Sequence, residues 1–338
     1  MKREQTVRTP KATQTMTAVV QDQYGGPEVL RLEEINRPQI GDDEVLVRVH
    51  AVGVDRGAWH LMAGLPYPVR LAGYGVRTPK TPVRGREVAG VVEAVGANVT
   101  GFHVGDEVFG IAEGGFAEYA IATPDKLAPK PRNLTFVQAA AVPISALTAL
   151  QAVRDGGQVQ PGQKVLIIGA SGGVGSFAVQ IAKAFGAEVT GVASTTKLDL
   201  VRGLGADHVI DYTRGDITDG GRRYDVVLDI GGNRSLRHLR RALTDHGTLV
   251  IVGGETGGRW MGGYDRGFRA LMLSPFVGQR LRMLTNSENA PDLIVLTQLI
   301  ESGAVAPSVE RTYPLRETPR AIQHMLDGHT RGKLVITI

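Results

Sequence analysis

The run Lys164–Lys197, KVLIIGASGGVGSFAVQIAKAFGAEVTGVASTTK, constrains the fold more than any other stretch of the chain. Val165–Ile168 is a short apolar run closed by Gly169. The apolar positions Phe177, Val179, Ile181, Ala182 and Phe185 then recur at helical spacing, and EVTGVA has strand character. That order predicts a strand, a tight turn, a helix and a second strand. Gly169, Gly172, Gly173 and Gly175 fall in and just after the turn and leave the helix start bare of side chains. A pyrophosphate can then reach the backbone N–H groups and the positive end of the helix dipole. The βαβ frame carries this expectation, because Ala170 stands where the dinucleotide fingerprint has its first glycine.

The end of the second strand bears on which dinucleotide binds. An NAD site expects a carboxylate there for the adenosine 2′-hydroxyl. Here the strand ends Val192-Ala193-Ser194-Thr195-Thr196-Lys197, with no acid before Asp199. Hydroxyls and an ammonium suit a 2′-phosphate, so NADPH is expected over NADH. The alternative is that Ser194, Thr195 and Lys197 form only a solvated turn and helix cap.

A chain of 338 residues, 42% hydrophobic and 21% charged, suits a soluble protein with room for two domains. It has no cysteine, which excludes disulfides, thiolate catalysis and sulfur-ligated zinc. No apolar run reaches the roughly 18 residues of a membrane span, and the N-terminus lacks a signal-peptide core, so a cytoplasmic location is expected. Most of the net charge of +4 comes from Lys2, Arg3, Arg8 and Lys11 against Glu4, and no basic patch with interleaved aromatics follows. Neither a nucleic acid nor a membrane is an expected partner. Residues 1–15 are expected to form a disordered extension.

From Thr17 to about residue 130 short apolar runs separated by turn residues predict an all-β region, with EVLVRVHAVGVD alternating at period two. A helical pattern begins at Thr135, breaks at Pro143 and resumes through Ala146. Beyond Lys197 the chain predicts a helix over Leu198–Gly203, strands at HVID and YDVVLD, a helix over Ser235–Leu243 and a strand at TLVIVGG. A parallel, doubly wound sheet follows from that alternation. A loop with Trp260, Met261, Tyr264 and Phe268 comes next. Gln279–Thr285 is expected as an edge strand, and the last helices and strands return to the β domain.

Together AVGVDRGAWHLMAG, GREVAGVVEAVG, GDEVFG, GASGGVG, LGADHVIDY and the closing GKLVI resemble the medium-chain dehydrogenase/reductase superfamily, in its zinc-free quinone oxidoreductase-like branch. The resemblance runs from about Thr17 to the end. It implies an α/β protein with a GroES-like β domain (16–138 and 290–338), a Rossmann NADP(H)-binding domain (139–289) and a cleft between them. Zinc enzymes of the superfamily carry ligands where this chain has Asp55 and Arg86, and a further Cys shortly before Thr148, so no metal is expected. Without a Lewis acid, hydride transfer favours a quinone or an α,β-unsaturated carbonyl, whose product anion is delocalised.

By the same resemblance Thr148, Ser171, Gly172, Gly173, Val174, Ser194, Lys197, Tyr212, Gly231, Val252, Gly253 and Lys333 are expected to hold NADPH. Trp59, Trp260 and Tyr264 are expected at the substrate; Trp260, Met261, Tyr264 and Phe268 read as lining an apolar pocket or as only burying a surface loop. Tyr67 and Asp55 are the candidate catalytic residues: Tyr67 is a proton donor or a packing residue, and Asp55 reads as a helix cap or turn residue. His60 reads as structural. The resemblance also implies a two-fold dimer joined at the Gln279–Thr285 edge. The rival functions are a metal-free alcohol or aldehyde dehydrogenase and a redox-inactive NADPH-binding protein.

Overall fold

The structure is a computed structural model that describes residues 14–232, 234–254 and 258–338. Of the extension expected over 1–15, only Gln14 and Thr15 are among the described residues, and Thr15 already opens a strand. β1 (Thr15–Val20) and β2 (Arg31–Asn36) form an antiparallel ribbon. There follow β3 (Val45–Val54), α1 (Arg56–Ala63), β4 (Glu87–Val95), β5 (Glu107–Ile111), β6 (Tyr119–Ala122) and β7 (Leu127–Pro129). The helix α1 corrects the all-β expectation. Asp55 caps it by accepting the Ala58 N–H at 3.0 Å, and Gly64 ends it in the left-handed region at φ 61°.

α2 (Phe136–Ala140) and α3 (Pro143–Gln151) come next. Pro143, expected as a break, occupies the first turn of α3, where its missing N–H costs nothing. The nucleotide unit then runs β8 (Lys164–Ile168), α4 (Gly173–Ala184), β9 (Glu188–Ala193), α5 (Leu198–Gly203) and β10 (His208–Asp211). Its second half is β11 (Tyr224–Asp229), α6 (Leu236–Arg241), β12 (Leu243–Ile251), α7 (Tyr264–Leu273) and β13 (Arg280–Met283). Leu243, expected in the helix before it, opens β12 instead. These strands form a parallel sheet in the order β10-β9-β8-β11-β12-β13, with β13 at one edge as expected. The order reverses between β8 and β11, and a dinucleotide lies across the carboxyl ends of the strands at such a reversal.

Where a loop was expected around Tyr264 and Phe268, α7 forms; Gly267 and Ala270, at i, i+3 spacing, are its buried residues, and Tyr264, Phe268 and Met272 stay exposed. Its Gly267 masks the pattern in the sequence. A Cβ there would meet Met283 Sδ at 2.4 Å, so the glycine lets α7 lie close against β13.

The remaining elements are α8 (Ala290–Glu301), β14 (Val309–Pro314), α9 (Thr318–Leu326) and β15 (Lys333–Thr337). β15 pairs with β3 in the order β14-β15-β3-β4-β5-β7, with β6 also on β3, so the chain end completes the first sheet as expected. One buried core runs from Ala51 and Val335 on that sheet through Leu147 and Leu150 on α3 to Ile167 and Leu228 on the parallel sheet. Each such leucine contributes roughly 1.5–3 kcal/mol. α3 therefore fixes the two sheets relative to each other and places the crevice between them.

Candidate functional site

The crevice begins at the loop after β8. Gly169 lies at φ 87°, and the Gly172 N–H bonds back to its carbonyl at 3.2 Å. A Cβ on Gly175 would stand 2.0 Å from that same carbonyl, so only glycine lets α4 start this close to the strand. Gly172 caps α4 without any side-chain bond. The N–H groups of the first turn thus face outward, unobstructed by a side chain and with no carbonyl partner within the helix. Ser171, Gly172, Gly173 and Val174 stand at this bare N-terminus, and the arrangement fits a pyrophosphate.

The strand ends beside it hold the other expected cofactor residues. Gly231, after β11, donates to the Ile168 carbonyl at 3.1 Å. Val252 and Gly253, after β12, donate to the Asp229 carbonyl at 3.0 and 3.4 Å. Asp229 itself is fully buried; Arg266 from α7 bonds its carboxylate and the carbonyls of Gly232 and Arg234. Burial raises the Asp229 carboxyl pKa and Arg266 opposes the rise. This pair pins the turn after β11. Thr148 is half-buried on α3 and gives its hydroxyl hydrogen to the Ile144 carbonyl at 2.7 Å, leaving its oxygen free only to accept.

The adenosine end differs from the sequence reading in two ways. No acid ends β9, but Asp211 reaches the same place from β10, where it is in register with Ala193. It accepts from the hydroxyls of Thr195 and Thr213 and from the Thr213 N–H at 3.0 Å, and these bonds hold its pKa below the usual value. The second difference is Lys197. Its ammonium donates to the carbonyls of Thr330, at 2.9 Å, and Gly328, at 3.4 Å, so it tethers the turn before β15. Burial lowers its pKa. Ser194 is half-buried beside it and Tyr212 is exposed.

Lys333 and Glu87 close the floor of the crevice. The Lys333 ammonium, buried to 2% exposure, bonds Glu87 and the Val54 carbonyl at 3.2 Å. The other Glu87 oxygen accepts the N–H groups of Ile144 and Ser145 at 2.9 and 3.2 Å, at the start of α3. The stem of Lys333 runs beside Gly173, where an added Cβ would meet its Cδ at 3.1 Å. Lys333 thus sits at the cofactor helix with its charge spent on Glu87. In the sequence, the one signal for this pair is a carboxylate, Glu87, at the head of the apolar strand EVAGVV.

On the acceptor side Asp55 is buried, with one oxygen capping α1 and Oδ2 unpartnered among the described residues. Arg86 makes a two-bond ion pair with Glu288 at 2.8 and 2.5 Å, joining residues 202 positions apart. His60 Nδ1 lies 2.9 Å from the Leu65 carbonyl, a structural contact. Trp59 packs partly into the apolar core of the β domain. Tyr67 meets Trp260 edge-on with ring centroids 5.2 Å apart, and its N–H donates to the Arg259 carbonyl at 2.8 Å. The Tyr67 hydroxyl has no partner among the described residues. Trp260 and Tyr264 are 73% and 52% exposed, and Met261 and Phe268 are largely exposed too, so these residues flank an open surface instead of closing a pocket. Among the described residues no group of three or more His, Cys, Asp or Glu could hold a metal ion.

Known proteins resemble this chain in sequence and fold. Residues 41–132 match the alcohol dehydrogenase GroES-like domain and residues 204–336 match the zinc-binding dehydrogenase family. Mus musculus NAD(P)H oxidoreductase RTN4IP1, mitochondrial, is 34% identical over 96% of this chain and 89% of its own length. The quinone oxidoreductase of Pongo abelii is 33% identical over 96% of this chain and 98% of its own. Among solved structures, mycobacterial Rv1454c complexed with NADPH superposes with a TM-score of 0.81 at 28% identity, covering 96% of this chain and all of that one.

Proposed function

This chain belongs to the medium-chain dehydrogenase/reductase superfamily, in its quinone oxidoreductase-like branch, and we propose that it is a zinc-independent, NADPH-dependent reductase of quinones or α,β-unsaturated carbonyls. The observation that carries this reading lies on the acceptor side. Where zinc relatives have metal ligands, Asp55 caps α1 and Arg86 is held by Glu288. A plain carbonyl reduced without a Lewis acid leaves a basic oxyanion, whereas a conjugated acceptor spreads the charge and needs only hydrogen-bond donors.

Bound NADPH supplies the hydride. Ser171, Gly172, Gly173 and Val174 would hold its pyrophosphate, with Gly231, Val252 and Gly253 beside them. Thr148 and Lys333 would hold its nicotinamide end, and Ser194, Lys197 and Tyr212 its adenosine phosphate. Trp59, Trp260 and Tyr264 flank the acceptor, and Tyr67 gives it a proton or a hydrogen bond. Residues 139–289 form the cofactor-binding part, and 16–138 with 290–338 the catalytic part. The test is steady NADPH oxidation when a simple quinone is added in the presence of chelator. A rate that disappears when bound zinc is removed would contradict it, and no consumption at all would favour a binding-only protein.

Cofactor choice rests on Lys197 against Asp211. A hydrogen bond to a charged group contributes about 1.5–3 kcal/mol, so Lys197→Ala is expected to weaken NADPH binding roughly tenfold or more while sparing NADH. Equal losses in a fluorescence titration of both cofactors would leave Lys197 only its tether to Thr330.

We also propose a homodimer. Among the described residues β13 is an unpaired edge, and Tyr264, Phe268, Leu271, Met272 and Phe276 expose apolar surface on and just after the neighbouring α7. Light scattering at micromolar concentration is expected to give twice the 36.1 kDa chain mass, and a monomeric mass would overturn the dimer. The proposed location is cytoplasmic. Among the described residues no helix is long and apolar enough to cross a membrane, and cell fractionation separates this from the mitochondrial location in the name of the mouse relative.

A further inference from the structure

We infer that the cavity walled by residues 80–86 receives a carboxylate carried by the acceptor, with the Arg84 guanidinium as its counter-ion. This assignment rests on the reductase reading and narrows its substrate class to conjugated carbonyls or quinones that bear an acid group. The cavity encloses about 190 Å³, with Ala58, Leu61, Val83, Lys80, Arg84 and Glu113 in its wall. That is smaller than the roughly 300–1,000 Å³ of a site for a whole ligand and suits one end of a molecule. The aliphatic side chains offer an apolar surface beside the cation.

Arg84 is only 5% exposed and no carboxylate pairs with it among the described residues. Its Nε donates to Gln21 Oε1 at 3.4 Å and its Nη1 to Thr81 Oγ1 at 3.2 Å, while Nη2 has no partner among the described residues. Gln21 can give nothing more. Its amide nitrogen is held by the carbonyls of Gln23 and Met62, at 3.0 and 3.1 Å, which fixes its oxygen toward the guanidinium. A buried guanidinium does not shed its charge, and an unpaired buried charge is costly. Burial lowers the Arg84 pKa.

The other charges in the wall do not fill the gap. Lys80 and Glu113 are exposed, and Arg86 is taken by Glu288. A planar guanidinium matches the planar carboxylate fork better than any neutral group does. The cavity also lies at the acceptor end of the molecule. Its wall includes Ala58 on α1, the helix that Asp55 caps, and Arg86, which stands where zinc relatives have a metal ligand.

The first test needs no turnover. Protein saturated with NADPH, so that the pyrophosphate site is filled, is melted with benzoate or with neutral benzamide at constant ionic strength. Benzoate is expected to raise the melting temperature saturably and benzamide not to. Arg84→Gln should abolish the benzoate response. Arg84→Lys, which keeps the charge without the fork, should need roughly tenfold more benzoate. An equal response to both compounds, or a benzoate response that survives in Arg84→Gln or is unchanged in Arg84→Lys, overturns the assignment, as does inorganic phosphate acting as strongly as benzoate.

The second test compares kcat/KM for a carboxylated quinone and its methyl ester. Wild type should favour the acid by roughly tenfold or more, and Arg84→Gln should lose that preference. A preference that persists in the variant overturns the proposal. NADPH consumed with neither acceptor would instead defeat the reductase reading, and the benzoate melts would still decide the cavity.

Discussion

Replacing Lys333 with Met is expected to destabilise the fold by roughly 3–5 kcal/mol at pH 8, because it leaves a fully buried carboxylate without its cation. Glu87 has no exposed surface and draws on Lys333 and the first N–H groups of α3 together, so one broken bond loosens β4, β15 and α3 at the cofactor crevice. Burial pushes the Glu87 carboxyl up to about 7, with Lys333 pulling the other way. A folded-state pKa raised above the ordinary value of 4.5 favours the neutral carboxyl. Its contribution to stability is full below that ordinary value and is lost as pH rises through 7. Without Lys333 the pKa rises further, so the deficit of the variant should widen between pH 6 and pH 8. Adding Glu87→Gln should recover most of it, since the buried charge is then gone. Urea unfolding of the single and double variants at both pH values checks this. A deficit that is flat with pH and unrelieved by Glu87→Gln would mean that Lys333 acts only by packing its stem against Gly173.

That pair also shows where a sequence stops being legible. The GASGGVG turn, the helix after it and the alternation of strands and helices were readable because each is set by local backbone preference and short-range periodicity. Glu87 and Lys333 stand 246 positions apart, and Arg86 and Glu288 stand 202 apart, so only the return of the chain end to β3 and the docking of α3 bring them together. Asp211 was hidden for the same kind of reason. Strand pairing puts it beside Ala193, although Asp199 is the first acid along the chain.

The missed helices have local causes. α1 is only 8 residues long and sits among strands, so its cap at Asp55 and its stop at Gly64 were the main clues. α7 carries a glycine where it crosses β13. The Asp55 reading as a helix cap matches its observed bond to Ala58. Lys197, expected at the phosphate, is also engaged by two carbonyls, contacts that residue type alone does not reveal.

The largest kinetic effect is expected at Tyr67. It rests against Trp260 where loops from both parts of the chain meet, with a hydroxyl that has no partner among the described residues. A proton donor used in the transition state contributes roughly 10²–10⁴-fold, so Tyr67→Phe should lower kcat by about that factor with NADPH binding unchanged. An unchanged rate would move the proton source to water and leave Tyr67 a packing residue.

The reaction class is tested most directly by the position of the transferred hydrogen. With NADPH deuterated at the transferred position and an enone as acceptor, the label is expected on the β-carbon of a saturated ketone. Label on the carbinol carbon of an allylic alcohol would contradict a conjugated acceptor and make this protein a metal-free carbonyl reductase.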